Sequence, residues 1–212
     1  IGSKLLGCNG IWSGRAFWDN FDAFMEFLLD SPLDQVMSEG LWYGYNGAWR
    51  TEKQWLDNVN MLVWFQDNFL KKSFRRTFVS VCKIESAEGK VYPLPPSCTK
   101  EQMATYAFAS TLLGIKTNQN CLMLNADPNF TMLVVQPLFD VNIGVPLNDY
   151  SMIEGSHVYA REFSNAKVLV NPTSDSYVID LPGAFKTSEG TIVTRIIMQA
   201  YTGVILMRLE NL

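Results

Sequence analysis

The sequence is poor in charged residues and has a single histidine. These two shortages argue against several classes of function. Charged residues make up only 18% of its 212 residues, and the formal net charge is −4 with a pI near 5.0. Binding to DNA or RNA calls for a basic face, so nucleic acid is not an expected partner. The basic pairs Lys71-Lys72 and Arg75-Arg76 follow a helical pattern and are typical of a solvated helix C-terminus.

Metal, nucleotide and serine-nucleophile motifs are also missing. The four cysteines form no C-x-x-C pair, and the single His157 cannot complete a zinc site with them at the usual spacings. No G-x-S-x-G, Walker loop or G-x-G-x-x-G occurs. No run of about 18 apolar residues is present. The sequence therefore predicts no metal, no cofactor and no membrane span.

Two features bear on the cellular compartment. Four cysteines are compatible with disulfides, although four reduced buried thiols would give the same count. Cys82 ends a predicted strand and Cys98 lies in the loop that returns from it, so we predict a disulfide between them. Asn129-Phe130-Thr131 is a glycosylation sequon at Asn129. These features favour an extracellular or secreted protein.

Apolar residues are abundant, at 48% with 13% aromatic, which indicates a well-buried globular protein. From residue 4 to about 126, apolar strand patterns alternate with amphipathic helical patterns. Thr51-Glu52-Lys53-Gln54 and Thr99-Lys100-Glu101-Gln102 have the form of capping boxes at two helix starts. The predicted strands are Lys4–Cys8, Gln35–Ser38, Thr77–Lys83 and Cys121–Asn125.

This alternation predicts four parallel βα units, which is half of an eight-unit TIM-type barrel. Because a half barrel has two open edges, and because the chain begins Ile1-Gly2-Ser3 without Met, we expect the other half to come from upstream sequence or a second chain. The fold class is thus α/β plus all-β, with the C-terminal half of a (β/α)8 barrel at residues 1–150. A small open doubly wound sheet, complete in itself, is the alternative.

After Tyr150 the helical patterns stop and short alternating strands follow. They are separated by turn residues such as Asn171-Pro172 and Pro182-Gly183. We predict a small antiparallel β-sandwich over residues 151–212.

The segment Arg161-Glu162-Phe163-Ser164-Asn165, followed by Val168-Leu169-Val170-Asn171-Pro172, resembles the C-terminal sheet of hypothetical glycosyl hydrolases. The nearest match is the fifteenth of the glycosidase-like groups. Gly144-Val145-Pro146-Leu147-Asn148-Asp149-Tyr150 resembles that group's link from barrel to sandwich. The resemblance implies a barrel with an appended β-sandwich, and carbohydrate as the partner. No single motif in it is diagnostic, and fold does not fix function.

Glycoside hydrolysis needs two carboxyls, which a (β/α)-barrel supplies from the C-terminal ends of its strands. Glu39 directly follows the predicted strand Gln35–Ser38, with Trp42 and Tyr43 close behind it. Aromatic walls raise the pKa of a carboxyl, as an acid catalyst requires. Glu39 is therefore the candidate catalytic residue, and a solvated loop glutamate is the competing interpretation. The second carboxylate is expected upstream of this chain.

Further polar and aromatic residues follow the strands and are candidates for binding substrate. A turn residue, a surface lysine or a packed ring would account for each of them as well. The predicted substrate-binding residues are Asn9, Trp12, Trp42, Tyr43, Lys83, Asn125 and Asp127.

Three functions remain open on the sequence. The first is a glycosidase acting on a polysaccharide or glycoconjugate through paired carboxylates. The second is a non-catalytic carbohydrate-binding or structural protein of an extracellular matrix or filament. The third is an intracellular α/β binding module, which would have free thiols and no glycan on Asn129.

Overall fold

The computed structural model describes residues 6–9, 13–44, 46–83, 95–116, 120–125 and 137–209, with the backbone alone at 9, 83, 120–125 and 137–138. The chain forms two compact units. The first comprises Ile1–Ser97 with Ile115–Val134, and the second comprises Cys98–Gly114 with Val135–Leu212.

The first unit is built on a parallel sheet of four strands in sequential order. The strands are β1 (Gly7–Asn9), β2 (Gln35–Glu39), β3 (Thr77–Lys83) and β4 (Asn120–Asn125). The register is regular, with Val36 opposite both Cys8 and Phe78. All four strands therefore end at the same edge of the sheet.

Three helices of the first unit lie between these strands: α1 (Gly14–Asp19), α2 (Phe21–Leu29) and α3 (Glu52–Trp64). A π-helical turn (Phe65–Phe69) and a 3-10 turn (Leu70–Lys72) continue α3. The capping box predicted at Thr51 is confirmed, since Thr51 Oγ1 accepts from Gln54 N at 3.3 Å and Gln54 Oε1 accepts from Thr51 N at 3.0 Å.

Aromatic rings hold the helices to one face of the parallel sheet. The Phe65 ring lies 4.8 Å from Phe78 of β3 and 5.3 Å from Phe17 of α1, measured between centroids. All three side chains are fully buried. Rings at these distances add about 0.5–1.5 kcal/mol per pair beyond area burial, so this cluster fixes the helices against the sheet.

The second unit combines α4 (Lys100–Gly114) with an antiparallel sheet of six strands. The strands are β5 (Ser151–Met152), β6 (Tyr159–Glu162), β7 (Ala166–Asn171), β8 (Tyr177–Lys186), β9 (Ile192–Met198) and β10 (Thr202–Arg208). Their order in the sheet is β5-β6-β7-β10-β8-β9. A short 3-10 turn (Pro137–Asp140) precedes them.

The antiparallel sheet is apolar on both faces. Gly203 of β10 lies under α4, where a Cβ atom would be 2.6 Å from Ala109 Cβ and 2.9 Å from Thr105 O. The opposite face carries a separate core in which Leu169 and Leu206 pack with Ile179. β8 pairs with β10 only at Lys186 and Phe185, which lie opposite Met207 and Arg208 at the end of β10. The rest of the β8–β9 hairpin is therefore free of β10 and folds over that second core.

Two buried polar side chains anchor this unit. Arg161 of β6 is 4% exposed, and its Nη1 donates to Leu112 O at 3.0 Å and Leu113 O at 2.9 Å, at the C-terminal end of α4. Asn171 is fully buried, and its Nδ2 donates to the Asp175 and Gln199 carbonyls at 2.7 and 2.8 Å. Arg161 thus supplies donors to the carbonyls of two buried residues at the end of α4, and Asn171 Nδ2 also donates to the carbonyl of buried Met198 at 3.2 Å.

The predicted half of a TIM-type barrel is wrong. The four parallel strands form an open sheet, and the helix that connects β3 to β4 packs on β10 and β7 of the antiparallel sheet instead of covering the parallel one. Helical periodicity predicts that α4 forms, but it does not specify the sheet against which the helix packs. A second half barrel as partner therefore loses its structural basis.

The predicted β-sandwich is also wrong. A sandwich requires two separate sheets packed face to face, whereas the six described strands are hydrogen-bonded into one continuous sheet. Residues 166–171 and 202–207 pair along their whole length at its centre. Alternation along each strand indicates which side is buried, but not whether neighbouring strands share a sheet.

Candidate functional site

The carboxyl edge of the parallel sheet gathers four positions predicted from the sequence. Asn9, Glu39, Lys83 and Asn125 are the last residues of β1, β2, β3 and β4. Asn9 is opposite Met37, Glu39 is opposite Val81, and Lys83 is opposite Asn125. Each of these last residues is thus paired either with the last residue of the next strand or with the residue two positions before it. Since residues two apart in a strand lie on the same face, all four positions lie on one face of the sheet.

That face is the less covered side of the sheet. On the helix-covered side, Ser38 and Phe78 are fully buried and Ser80 is 1% exposed. On the other side, Met37 and Glu39 of β2 are half-buried, although Val79 and Val81 opposite them on β3 are only 7% and 1% exposed, so between these two strands the lesser coverage is confined to β2. Glu39 is therefore accessible at the edge where parallel α/β sheets bind their ligands.

The loop after β2 has a defined geometry. Gly40 has a φ of 68°, a left-handed conformation that favours glycine, and its N–H donates to Val81 O at 3.1 Å. Arg50 Nη2 donates to Gly40 O at 2.7 Å. Tyr43 and Trp49 form an isolated antiparallel bridge across the loop. The chain directly behind Glu39 is thus fixed by backbone and side-chain hydrogen bonds.

Asn58 of α3 links two loops at this edge. Its Nδ2 donates to Leu41 O, in the loop after β2, and its Oδ1 accepts from Gly14 N at 2.6 Å, at the start of α1. Asn58 is fully buried. Gly14 lies against the backbone of Asp57, where a Cβ atom would overlap the carbonyl group, so only glycine fits. Asn58 therefore holds the start of α1 and the loop behind Glu39 in a fixed relation.

Sequence reasoning missed both Asn58 and Arg50 as positioning residues. The signal for Asn58 was present, because it is an amide within the apolar stripe of Trp55, Val59 and Leu62 on α3. A polar residue in such a stripe is buried with its hydrogen bonds satisfied. No local pattern marked Arg50, since its role depends on the path of the loop.

The aromatic residues predicted to wall the site lie beneath its surface. Trp42 is 0% exposed and Tyr43 is 3% exposed. Trp42 Nε1 and Ser38 Oγ are buried without a hydrogen-bond partner among the described residues. Both rings thus support the loop behind Glu39, and their contact with a sugar stays a prediction. Trp12, Asp127 and the glycosylation candidate Asn129 lie outside the described residues.

Cys82 and Cys98 both carry thiols in the structure, and the disulfide between them stays a prediction. Cys98 keeps its thiol and donates from Sγ to Thr99 O at 3.3 Å. Cys82 is a buried thiol on the helix-covered side of β3, and the two residues belong to different compact units. Burial raises the pKa of Cys98 to about 11, an effect that its hydrogen bond with the Met103 backbone partly opposes.

A concavity lies in the antiparallel unit, and no sequence pattern predicted it. It has a volume of about 690 Å³, between the first turns of α4, β10 and the β8–β9 turn. Glu101 and Glu189 lie at it, above an apolar floor that includes Ile196 and Ile205. Hydrogen bonds from Ser188, from the Glu189 backbone and from Thr187 hold the pKa of Glu189 below its usual range. The described lining holds no aromatic ring on which a pyranose could stack.

Metal and membrane features were sought over the same residues. In the described ranges, no three His, Cys, Asp or Glu side chains are grouped so that they could hold a metal ion. Of the helices that the structure describes, none has the length and hydropathy needed to cross a membrane.

Comparison with known proteins gives no family assignment. No family model matches the chain, and no curated protein matches it. Among solved structures, Amy13B of Eubacterium rectale is similar, with 12% sequence identity and a TM-score of 0.38. The match covers 82% of this chain and 53% of that protein, so the chain spans about half its length. A TM-score of this size supports no conclusion about activity.

Proposed function

We propose that this chain is part of a carbohydrate-active protein in which the Glu39 carboxyl acts at the carboxyl edge of the parallel sheet. The observation that carries the proposal is the placement of Glu39 at the end of β2, half-buried on the less covered face. The other strands of the sheet end in two amide residues, Asn9 of β1 and Asn125 of β4, and in one lysine, Lys83 of β3.

The residue types at this edge favour a neutral, polyhydroxylated ligand. Among the four strand ends that the structure describes, Glu39 and Lys83 are the charged residues, and their charges are opposite. Amide and carboxylate groups both accept hydrogen bonds, and amides and ammonium groups donate them. A sugar presents alternating donors and acceptors of this kind. Carbohydrate is therefore the substrate class that the edge supports best.

Hydrolysis of a glycosidic bond would need a second carboxyl opposite Glu39. Asp127 follows β4, which makes it the candidate within this chain, and it lies outside the described residues. In this mechanism one carboxyl protonates the leaving oxygen, and the other acts as base or nucleophile. The roles of Glu39 and Asp127 in these two steps are part of the proposal.

A non-catalytic carbohydrate-binding protein is the second candidate. The observation that favours it is that Glu39 is the single acidic residue among the four strand ends of the described sheet. A lone carboxylate can bind sugar hydroxyls without performing hydrolysis. Secretion and a glycan on Asn129 remain proposals under either function.

The test uses the full chain with a panel of polysaccharides and nitrophenyl glycosides. We expect Glu39→Gln to lower hydrolysis by about 10²-fold or more, since it keeps the shape of the side chain but removes its acid–base function. Glu26→Gln is the matched control, because Glu26 is exposed on α2 and its loss changes the charge equally. Circular dichroism should show the same fold for both variants.

The outcomes separate the two functions. Hydrolysis that falls only in Glu39→Gln, with sugar binding retained, supports the catalytic role. Binding without hydrolysis in the wild-type chain, weakened by Glu39→Gln, supports the binding protein. Absence of both binding and hydrolysis across the panel contradicts the proposal.

A further inference from the structure

The turn that leads into β3 carries an unusually exposed aromatic residue. Phe74 is 90% exposed, the highest value among the large apolar side chains that are exposed in the described part of the chain. Turns ordinarily place Gly, Asn, Asp or Ser at such positions. A phenylalanine there forgoes the burial that normally stabilises a fold. A ring exposed to this degree is available to a partner, and its surroundings indicate which kind.

Four basic residues surround Phe74 in sequence, and we name residues 71–76 the basic tip. Lys71 and Lys72 precede Phe74, and Arg75 and Arg76 follow it. Lys71, Lys72 and Arg75 are exposed, and Arg76 is half-buried. The basic tip stands out because the chain as a whole has a net charge of −4.

Hydrogen bonds hold the basic tip in one conformation. Ser73 N donates to Leu70 O at 3.2 Å, and Arg76 N donates to Ser73 O at 3.0 Å. Arg76 Nη2 donates to Ser31 O at 2.9 Å, and its guanidinium lies 4.3 Å from the centre of the Phe69 ring. Phe74 is therefore presented outward by an ordered turn.

The charge of the basic tip is only partly compensated by nearby acids. Arg75 Nε lies 3.8 Å from Asp34 Oδ1. Lys72 Nζ donates to Leu29 O at 2.8 Å, at the end of α2. The residue that follows Leu29 in the chain is Asp30. Even with Asp34 and Asp30 both counted against its four cations, the basic tip has a net positive charge. Positive charge around an exposed ring is complementary to a surface that is anionic outside and apolar beneath.

The basic tip lies at the amino ends of the strands, away from Glu39. Arg76 is followed directly by Thr77, the first residue of β3. Leu6, 49% exposed, precedes β1 at the same edge, and its N–H donates to Asp34 Oδ2 at 3.1 Å. A surface docked at this edge would leave the carboxyl edge, and the proposed sugar site, accessible.

We propose that the basic tip docks the protein on a bilayer surface rich in anionic lipid, with Phe74 entering the headgroup region. A soluble polyanion would engage the four cations but would offer no apolar layer to Phe74. An acidic protein would need a pocket for the ring, whereas a bilayer receives a protruding ring without one. The exposed Lys71, Lys72 and Arg75 contact the headgroups, as polybasic segments do.

The experiment measures co-sedimentation of the full chain with vesicles of phosphatidylcholine, with or without about 30% phosphatidylserine. We expect binding to the anionic vesicles only, and weaker binding when salt is raised from about 0.1 M to about 0.5 M. Phe74→Ser should weaken the partition about tenfold, because the ring no longer enters the interface. Lys71→Glu should weaken it about fivefold or more.

Matched controls come from exposed positions elsewhere in the chain. Val178→Ser removes an apolar side chain that is 60% exposed on β8, and Lys53→Glu makes the same change in net charge on α3. Neither should alter vesicle binding. Equal binding to neutral vesicles, no binding to anionic ones, or full binding by Phe74→Ser would overturn the proposal. Binding to dextran sulfate without binding to anionic vesicles would also overturn it, because that result would identify a soluble polyanion as the partner.

Discussion

Arg161 should be essential to the stability of the antiparallel unit, and Arg161→Met tests this directly. The Arg161 guanidinium donates to Leu112 O, Leu113 O and Asn148 O at 3.0, 2.9 and 2.8 Å. The first two are among the last four carbonyls of α4, which have no partner within the helix. Methionine fills a similar volume but donates nothing, so these two buried acceptors would lose their donor.

The size of the effect follows from these contacts. Each buried carbonyl left without a donor costs about 1–3 kcal/mol. A cation at a helix C-terminus adds about 0.3–1 kcal/mol. Burial lowers the pKa of Arg161, although the charge of Asp149 opposes this, so removing the guanidinium also recovers part of its desolvation cost. We expect a net loss of about 3 kcal/mol in the free energy of unfolding.

Urea denaturation followed by circular dichroism measures that loss, and hydrogen exchange locates it. Amide protection should fall in α4 and β6. Arg161→Lys keeps the charge, but its one nitrogen cannot replace both Nη1, which serves the two α4 carbonyls, and Nε, which donates to Asn148 O, so its stability should lie between wild type and Arg161→Met. Arg195→Met is the control, because Arg195 is an exposed residue paired only at the surface with Asp180. A loss below about 1 kcal/mol for Arg161→Met would refute the assignment of Arg161 as a helix anchor.

Two further results are expected from the same chain. Gly203→Ala should lower the free energy of unfolding, measured by urea denaturation, by about 1–3 kcal/mol, because the new Cβ would lie 2.6 Å from that of Ala109. Gly183→Ala on β8 is the control, since a Cβ there meets open space, and its effect should stay within about 0.5 kcal/mol. Equal stability of the two variants would contradict the close approach of β10 and α4. Cys98 should react with iodoacetamide at pH 8 about 100-fold more slowly than an unperturbed thiol, because burial raises its pKa from 9.0 to about 11 and only the thiolate reacts. The rate of labelling at Cys98 should rise with pH up to about pH 11, and mass spectrometry of the labelled peptide measures it. Detection of a peptide disulfide-linked to Cys82 would instead show that the predicted disulfide forms.

Several local elements could be predicted because their signals lie in neighbouring residues. The strand Thr77–Lys83 has the predicted bounds, and β2 extends the predicted strand by one residue to Glu39. The capping box at Thr51 forms as predicted. At Thr99 only half of the box forms. Thr99 Oγ1 accepts from Gln102 N at 3.0 Å, but the Gln102 side chain donates to Tyr201 O at 3.1 Å, in the turn before β10.

The candidate site was predictable only in part. A polar residue at the end of an apolar strand is visible in sequence, and the parallel register then places Asn9, Glu39 and Asn125 on one face. The burial of Trp42 was not visible, because it depends on the path of the loop that Arg50 and Asn58 hold. Both contacts join residues ten or more positions apart.

Residue spacing by itself determined where strands and helices form, since backbone periodicity and caps act over a few residues. It also determined the change at residue 150 from helical to strand patterns. Only the tertiary structure decided that α4 packs on the antiparallel sheet and that the four described parallel strands form an open sheet. These outcomes depend on which apolar surfaces meet at long range. An apolar stripe on a helix indicates that this side of the helix is buried, but not against which sheet. For α4 the sheet is selected by the close approach at Gly203 and by the hydrogen bonds that Arg161 donates to the end of the helix.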